Sequence, residues 1–327
     1  MSFKLESRKD INYNRYYMLI ITGSLAYDYI MEFPGSFSDH ILPEHKHNIN
    51  LSFIVNKFAK RRGGTAGNVS YTLGLLHTPH ILFSYAGKDF EEYKNDFTKM
   101  GIDMSHVIID PDDHTATGFA MTDTDQNQIW GFYYGASSRN KSLQIEKVAK
   151  KGDLVLIGPQ GAEGSLSLIN QCISLDIPYM FDPGFILTQV NEVDLEHGLA
   201  HAEYVIGNDY EINLMRERIK NFDSVVRNKT VITTRGEKGS VIEKNEERYN
   251  IKPTSAIKVE STTGAGDAWR GGFLAGIEKG FDLQTSGQMG AVAASFTVEY
   301  IGTQEQLYSK EIFAKRYKDT YNAEIQL

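Results

Sequence analysis

The residues best suited to chemistry run Ser261-Thr262-Thr263-Gly264-Ala265-Gly266-Asp267-Ala268-Trp269, followed by Arg270-Gly271-Gly272-Phe273. Gly264, Ala265 and Gly266 read as a tight turn opening a helix, which aims unpaired backbone N–H groups at one point. Those groups and the helix dipole together favour an anion there. Asp267 in the same turn is badly placed to bind a phosphate, but well placed to take a proton from a hydroxyl attacking one. An anion hole with a carboxylate base beside it is what phosphoryl transfer to an alcohol requires. A plain helix start with an acid in its first turn accounts for the same four residues. Two other phosphate loops do not fit. A dinucleotide fingerprint fails because Trp269 holds its last glycine position and no strand runs into Gly264, and no Gly-Lys-Ser/Thr follows for a Walker loop.

Elements that could hold such a site alternate along the chain. Met18–Thr22, His80–Tyr85, Asp153–Ile157, Tyr179–Phe181, Tyr204–Ile206 and Thr230–Thr233 read as buried strands. Between them Ala66–Leu76, Phe90–Met100, Glu163–Leu175, Tyr210–Ile219, Gly266–Lys279 and Leu283–Tyr300 read as helices. Asp209 marks one helix start, and Gly101 and Gly280 mark two stops. The alternation predicts a mostly parallel sheet covered by helices on both faces. Two stretches break it. In Asp28–Arg62, strand-like pieces (Tyr29–Phe33, Asn50–Val55) flank a Pro/Gly/His-rich loop, and Thr115–Tyr134 reads as a hairpin turning at Asp123–Asn127. We expect a small β lid over 28–62 and 115–135, a core over 18–27, 63–114 and 136–327, and a polar extension over 1–17.

Composition is that of an ordinary globular enzyme, 41% hydrophobic and 23% charged. A formal charge of −8 argues against nucleic-acid and anionic-membrane partners, though not against an anionic substrate held by backbone amides. The single cysteine, Cys172, excludes an intrachain disulfide, fits a cytoplasmic location and reads as a small apolar helix residue. Lys4, Arg8, Lys9 and Arg15 before Met18–Ala26 imitate a secretory signal. The apolar part is short, holds Thr22, Gly23 and Ser24, and runs into Asp28, so a first strand explains it better.

The Ser261–Trp269 run resembles the carboxy-terminal signature of ribokinase-like (phosphofructokinase-B) carbohydrate and nucleoside kinases. Gly63-Gly64-Thr65-Ala66-Gly67-Asn68 resembles their amino-terminal signature. Asn208-Asp209-Tyr210-Glu211 is similar to their Asn-x-x-Glu motif, and Thr234-Arg235-Gly236-Glu237-Lys238-Gly239 to their ATP-phosphate loop. Shorter matches point to the actinobacterial type of adenosine kinase: Phe33-Pro34-Gly35, Leu42-Pro43-Glu44-His45, Leu51-Ser52-Phe53, Phe132-Tyr133 with Gly135-Ala136, and Gly302-Thr303-Gln304-Glu305. None of these has a chemical meaning when read alone.

The resemblance implies a ribokinase-like three-layer α/β sandwich with a β-strand lid, and phosphorylation of a nucleoside's primary hydroxyl, adenosine first. Asp267 would be the base, with Gly264, Ala265 and Gly266 around the transferring phosphoryl group. Asp28 would accept from two sugar hydroxyls, its strand-end position also fitting a cap. Gly63 and Gly64 would let the backbone approach the sugar, Asn68 would bond its hydroxyls, and Phe132 would stack on the base or simply pack the hairpin. Asn208, Thr234, Gly236 and Gly239 would line ATP, and Glu211 would orient Mg2+ through water. Arg270 would add charge near the phosphates or form a helix salt bridge. The resemblance also implies potassium, but Ser261 stands where relatives usually carry Asp, keeping an oxygen and losing the charge. Phe185 and Ile186 follow Asp182-Pro183 where relatives carry glutamines facing the nucleoside, and Gly118 stands where a lid aromatic is expected. A ribose- or fructose-type sugar kinase is the alternative, and a non-catalytic nucleoside or ATP sensor the next. A homodimer through the lid is a further expectation.

Overall fold

The computed structural model describes residues 16–40, 51–125 and 127–327. In chain order the strands are β1 (Leu19–Thr22), β2 (Ala26–Glu32), β3 (Lys57–Gly63), β4 (His80–Leu82), β5 (Ser84–Gly87), β6 (Val107–Asp110) and β7 (Ala116–Thr122). They continue with β8 (Gln128–Tyr133), β9 (Leu154–Ile157), β10 (Tyr179–Phe181), β11 (Tyr204–Asn208), β12 (Thr230–Thr234), β13 (Ser240–Lys244) and β14 (Glu247–Ile251). The helices are α1 (Thr65–Leu75), α2 (Glu91–Lys99), α3 (Ala162–Ser174), α4 (Glu192–His201), α5 (Asp209–Arg218), α6 (Phe222–Val225), α7 (Ala265–Glu278), α8 (Leu283–Thr297) and α9 (Lys310–Tyr321).

The main sheet has eight strands in the order β14-β13-β12-β11-β10-β9-β1-β4. It is parallel from β12 to β4 and closes with an antiparallel hairpin at the other edge. Alternate residues of the buried strands feed two cores. Leu19, Ile21, Leu156, Ile206 and Ile232 pack with residues of α1, α7, α8 and α9. Ile20, Val155, Phe181, Val205 and Val231 pack with residues of α3, α4 and α5. That two-sided burial is why these strands read as continuous apolar runs. A separate four-stranded sheet, order β3-β2-β7-β8, carries the segments that interrupt the rhythm.

The structure revises several boundaries and adds elements. His80–Tyr85 is two strands, because the chain leaves the main sheet after Leu82 and β5 pairs with β6 instead. The strand expected within Asn50–Val55 is not there; residues 51–55 are irregular and the strand is β3, seven residues whose basic side chains hid it. Asn208, not Asp209, caps α5. Of the expected extension, Tyr16 is buried in the core and its hydroxyl donates to Tyr204 at 3.3 Å, while residues 1–15 lie outside the described residues. Leu42-Pro43-Glu44-His45 also lies outside them. Cys172 is fully buried in α3. Among the described residues no helix is long and apolar enough to cross a membrane.

Candidate active site

The parallel strands end on one side of the sheet, where β9, β10, β11 and β12 deliver Pro159, Asp182, Asn208 and Thr234 to a cavity of about 1000 Å3. The N-termini of α1 and α7 point into the same region. Both begin at a glycine, Gly64 at φ 86° and Gly264 at φ 80°, and neither glycine supplies a side-chain cap. A Cβ on Gly64 would collide with the carbonyl of Ser24, and one on Gly264 would lie 2.6 Å from Thr303 Cγ2. Gly264, Ala265, Gly266 and Asp267 line the cavity. Asn208, Glu211, Thr234, Gly236 and Gly239 line it too, as the phosphate-loop and Asn-x-x-Glu motifs imply. Its far wall is apolar, built by Ala291, Ala294 and Val298 with Val259.

Asp267 is bonded outward rather than toward this cavity: Asn68 Nδ2 donates to its Oδ2 at 2.7 Å. Burial pushes the Asp267 carboxyl up to about 6, against the pull of the Arg270 guanidinium and the Asn68 amide. A carboxyl titrating there is ionised at neutral pH and still basic enough to accept a proton. Arg270 itself is buried and ion-pairs with Asp182: Nη2 donates to Oδ1 at 2.7 Å, and Nε lies 2.6 Å from Oδ2. Arg270 thus both lines the cavity and forms a buried ion pair between α7 and the end of β10. Burial opposes the charge on Arg270, but Asp182 and Asp267 hold it firmly cationic.

Glu211 serves a capping box. Its Oε2 accepts from Asn208 N at 2.7 Å while Asn208 Oδ1 accepts from Glu211 N at 2.8 Å. Burial, then the charge of Asp182, raises its carboxyl. Among the described residues no three His, Cys, Asp or Glu side chains cluster as a resident metal site. Glu211 at the cavity wall fits Mg2+ that arrives with a triphosphate and keeps several of its waters. Ser261 Oγ accepts from Thr263 N at 3.2 Å, so its oxygen already supports the turn.

Asp28, Trp130 and Phe132 do not line this cavity. Asp28 stands on β2, paired with Arg61 of β3 and Gly118 of β7. Burial alone pushes its carboxyl up to about 6, and among the described residues no donor reaches it. A Cβ on Gly63 would overlap that carboxylate, and one on Gly118 would lie 2.6 Å from Asp28 Oδ1. The same Gly118 Cβ would meet Trp130 at 3.3 Å and Phe132 at 3.5 Å. Trp130 and Phe132, one strand over, stack at 5.3 Å with planes 6° apart, and Phe132 is 73% exposed. The aromatic surface expected at 118 is thus supplied from β8, and Gly118 is the gap that lets it approach Asp28. Trp130 escaped the sequence reading although its spacing of two from Phe132 puts both on one strand face. Phe185 is half-exposed at the cavity mouth, but Ile186 is fully buried in the core and does not face a ligand. Trp269 is buried and stacks on Phe273 at 5.2 Å.

A cavity with a glycine turn at a helix N-terminus and a carboxylate beside it suits a phosphotransferase with an alcohol acceptor. Residues 30–310 match the pfkB family of carbohydrate kinases, and the chain belongs to that family. Its fold is the ribokinase-like α/β sandwich, and its chemistry is ATP-dependent. The chain is 31% identical over 312 residues to a nucleoside kinase of Methanothermobacter thermautotrophicus, covering 91% of this chain and 95% of that one. It superposes on the nucleoside kinase of Burkholderia thailandensis, solved in complex with inosine, at a TM-score of 0.83. Identity there is 32%, over 94% of this chain and 99% of that one. The Methanocaldococcus jannaschii nucleoside kinase, an archaeal ribokinase-family member, superposes at 0.83 with 28% identity, again over 94% and 99%.

Proposed function

We propose that the protein transfers the γ-phosphoryl group of ATP·Mg2+ to the 5′-hydroxyl of a nucleoside, with adenosine the first acceptor and inosine a second. The observation that carries this is the Asn68–Asp267 bond, which joins the two signatures at the edge of the cavity. Asp28, with no hydrogen-bond partner among the described residues, offers two acceptor oxygens to the 2′- and 3′-hydroxyls. The stacked Trp130 and Phe132 present a flat apolar surface beside it, suited to a base. Asp267 takes the proton of the 5′-hydroxyl as that oxygen attacks phosphorus, and the first amides of α7 hold the charge that builds on the phosphoryl oxygens. Glu211 orients the hydrated Mg2+, whose positive charge offsets that of the phosphates. The small sheet closes as a lid and excludes water.

Relatives named nucleoside kinases over nearly the full length, one of them bound to inosine, support this acceptor class. No polar side chain replaces the glutamines expected after Asp182-Pro183, so base selection falls to stacking and is broad. Potassium, if it activates, would meet a hydroxyl at Ser261 and bind weakly. We also propose that the distal face of the small sheet pairs two copies. Its exposed Phe58, Phe119 and Ile129 motivate this, and a monomer in sedimentation velocity at micromolar concentration would discard it.

ADP release measured with adenosine, inosine, guanosine, cytidine, ribose and fructose as separate acceptors tests the substrate. Turnover with purine nucleosides well above both sugars is expected. Preference for a free sugar overturns the acceptor while leaving the base in place, and no turnover with any of them favours a sensor.

A further inference from the structure

The loop Gly302-Thr303-Gln304-Glu305 carries side chains that meet the catalytic apparatus from behind. Thr303 Oγ1 lies 2.7 Å and Gln304 Nε2 2.8 Å from Asn68 Oδ1. Gln304 Nε2 also lies 2.7 Å from the Tyr93 hydroxyl, which donates to Gly63 O at 3.0 Å. Thr303 Oγ1 lies 3.1 Å from Arg62 O, and its methyl packs on Gly264. All of Asn68, Tyr93, Thr303 and Gln304 are buried.

The donors in this chain can run in only one direction while Asp267 is ionised. A carboxylate only accepts, so the Asn68 NH2 must face it and Oδ1 must face the loop. The Gln304 NH2 then spends one hydrogen on Asn68 and the other on Tyr93, which leaves the tyrosine proton for Gly63 O. Amide orientation is set by such networks and by nothing else in a symmetric-looking side chain. Reversing it would turn Asn68 Oδ1 onto Asp267, lone pair against lone pair. Gly67 is part of the same device. A Cβ there would overlap the Tyr93 hydroxyl and lie 3.2 Å from Gln304 Nε2. Stability alone does not favour the arrangement, because Gln304 Oε1 is buried with no partner.

We propose that Thr303, Gln304 and Tyr93 are positioning residues that fix the amide orientation of Asn68 and so aim its N–H at Asp267. The relay starts at the Arg62 and Gly63 carbonyls, where β3 of the small sheet enters the core, and ends at the base. It rests on Asp267 being that base.

The test is a double-mutant cycle of Thr303→Val/Gln304→Met, in the native and the Asn68→Ala backgrounds, read as turnover with adenosine and inosine. In the native background the pair should lower kcat about 10- to 100-fold, part of what a positioned base contributes. In the Asn68→Ala background it should cost less than about threefold, since both act through one amide. The acid limb of kcat should move to higher pH, because Asp267 loses a donor while Arg270, Asp182 and Glu211 are unchanged. Thr303→Ser, which keeps the hydroxyl, should recover most of the activity Thr303→Val loses. Equal fold-losses in both backgrounds with an unmoved acid limb, the signature of simple misfolding, overturn the relay. Asp267→Asn assayed alongside separates the two readings. If it is inactive and the cycle is additive, only the relay falls; if it keeps native turnover, the base assignment falls and the relay with it.

Discussion

Burial lifts the carboxyls of both Asp267 and Asp28 to about 6. As the proposed base Asp267 must be ionised, so kcat should fall as the pH drops through about 6 and plateau above it. Asp267→Asn should lower kcat by about a thousandfold or more while ADP still binds, as calorimetry would show. A variant with native turnover and a native acid limb would remove Asp267 from the chemistry. For stability, both groups titrate higher folded than unfolded. Their contribution is full below about pH 4, the unfolded value, and is lost as the pH rises through about 6. At pH 7.5 the unliganded protein therefore holds carboxylates that its fold disfavours. Asp28→Asn should raise the unliganded Tm by several degrees at pH 7.5 and by almost nothing near pH 4. It should also raise the nucleoside KM about tenfold or more, since a charged acceptor is lost. A Tm lowered at pH 7.5 would mean that Asp28 holds the sheet together rather than waiting for hydroxyls.

The helices that carry these residues are held by the absence of side chains. Gly272 and Gly276 let α7 lie against α8: a Cβ on Gly272 would sit 2.5 Å from Met289 O, and one on Gly276 2.6 Å from Ser286 Oγ. Gly272→Val should therefore cost about 1–3 kcal/mol, seen as a lower Tm. Because Asp267 sits in the first turn of α7, kcat should fall with it; a native Tm would show that the two helices separate freely. The lining of the cavity was legible in the sequence because its residues are contiguous: one turn supplies Gly264 to Asp267, another Asn208 to Glu211. The acceptor side was less so. Trp130, Thr303 and Gln304 make their contacts across elements, and nothing local in Gly302–Glu305 announces a bond to Asn68. Of the elements, β13 and β14 escaped because the hairpin is an edge rich in charge, turning at Asn245 with φ 55°. Two helices had signals that went unread. Asn191 caps α4, which buries Leu195 and Leu199 four apart, and Ser309 caps α9, which buries Phe313 and Tyr317 four apart.

Across the whole molecule, the small sheet and the core meet along one seam. Tyr27 packs edge-on against Tyr93 at 5.8 Å, so the α2 side of the small sheet is anchored while its far end stands clear. Strand β3 brings three successive cations to that seam, each opposite an acid of the core: Lys60 with Glu92 at 2.9 Å, Arg61 with Glu305 at 3.2 Å, and Arg62 with Asp96. All three are partly exposed, so each is individually weak. They are also screened, over about 10 Å at 0.1 M salt and about 3 Å at 1 M. Ionic strength thus becomes a dial on the seam that leaves the buried Arg270–Asp182 pair untouched. Raising salt from 0.05 to 0.5 M should weaken nucleoside binding about twofold to fivefold and leave ADP binding nearly level. If both respond alike, the aromatic packing alone holds the small sheet, and its charges serve only solvation.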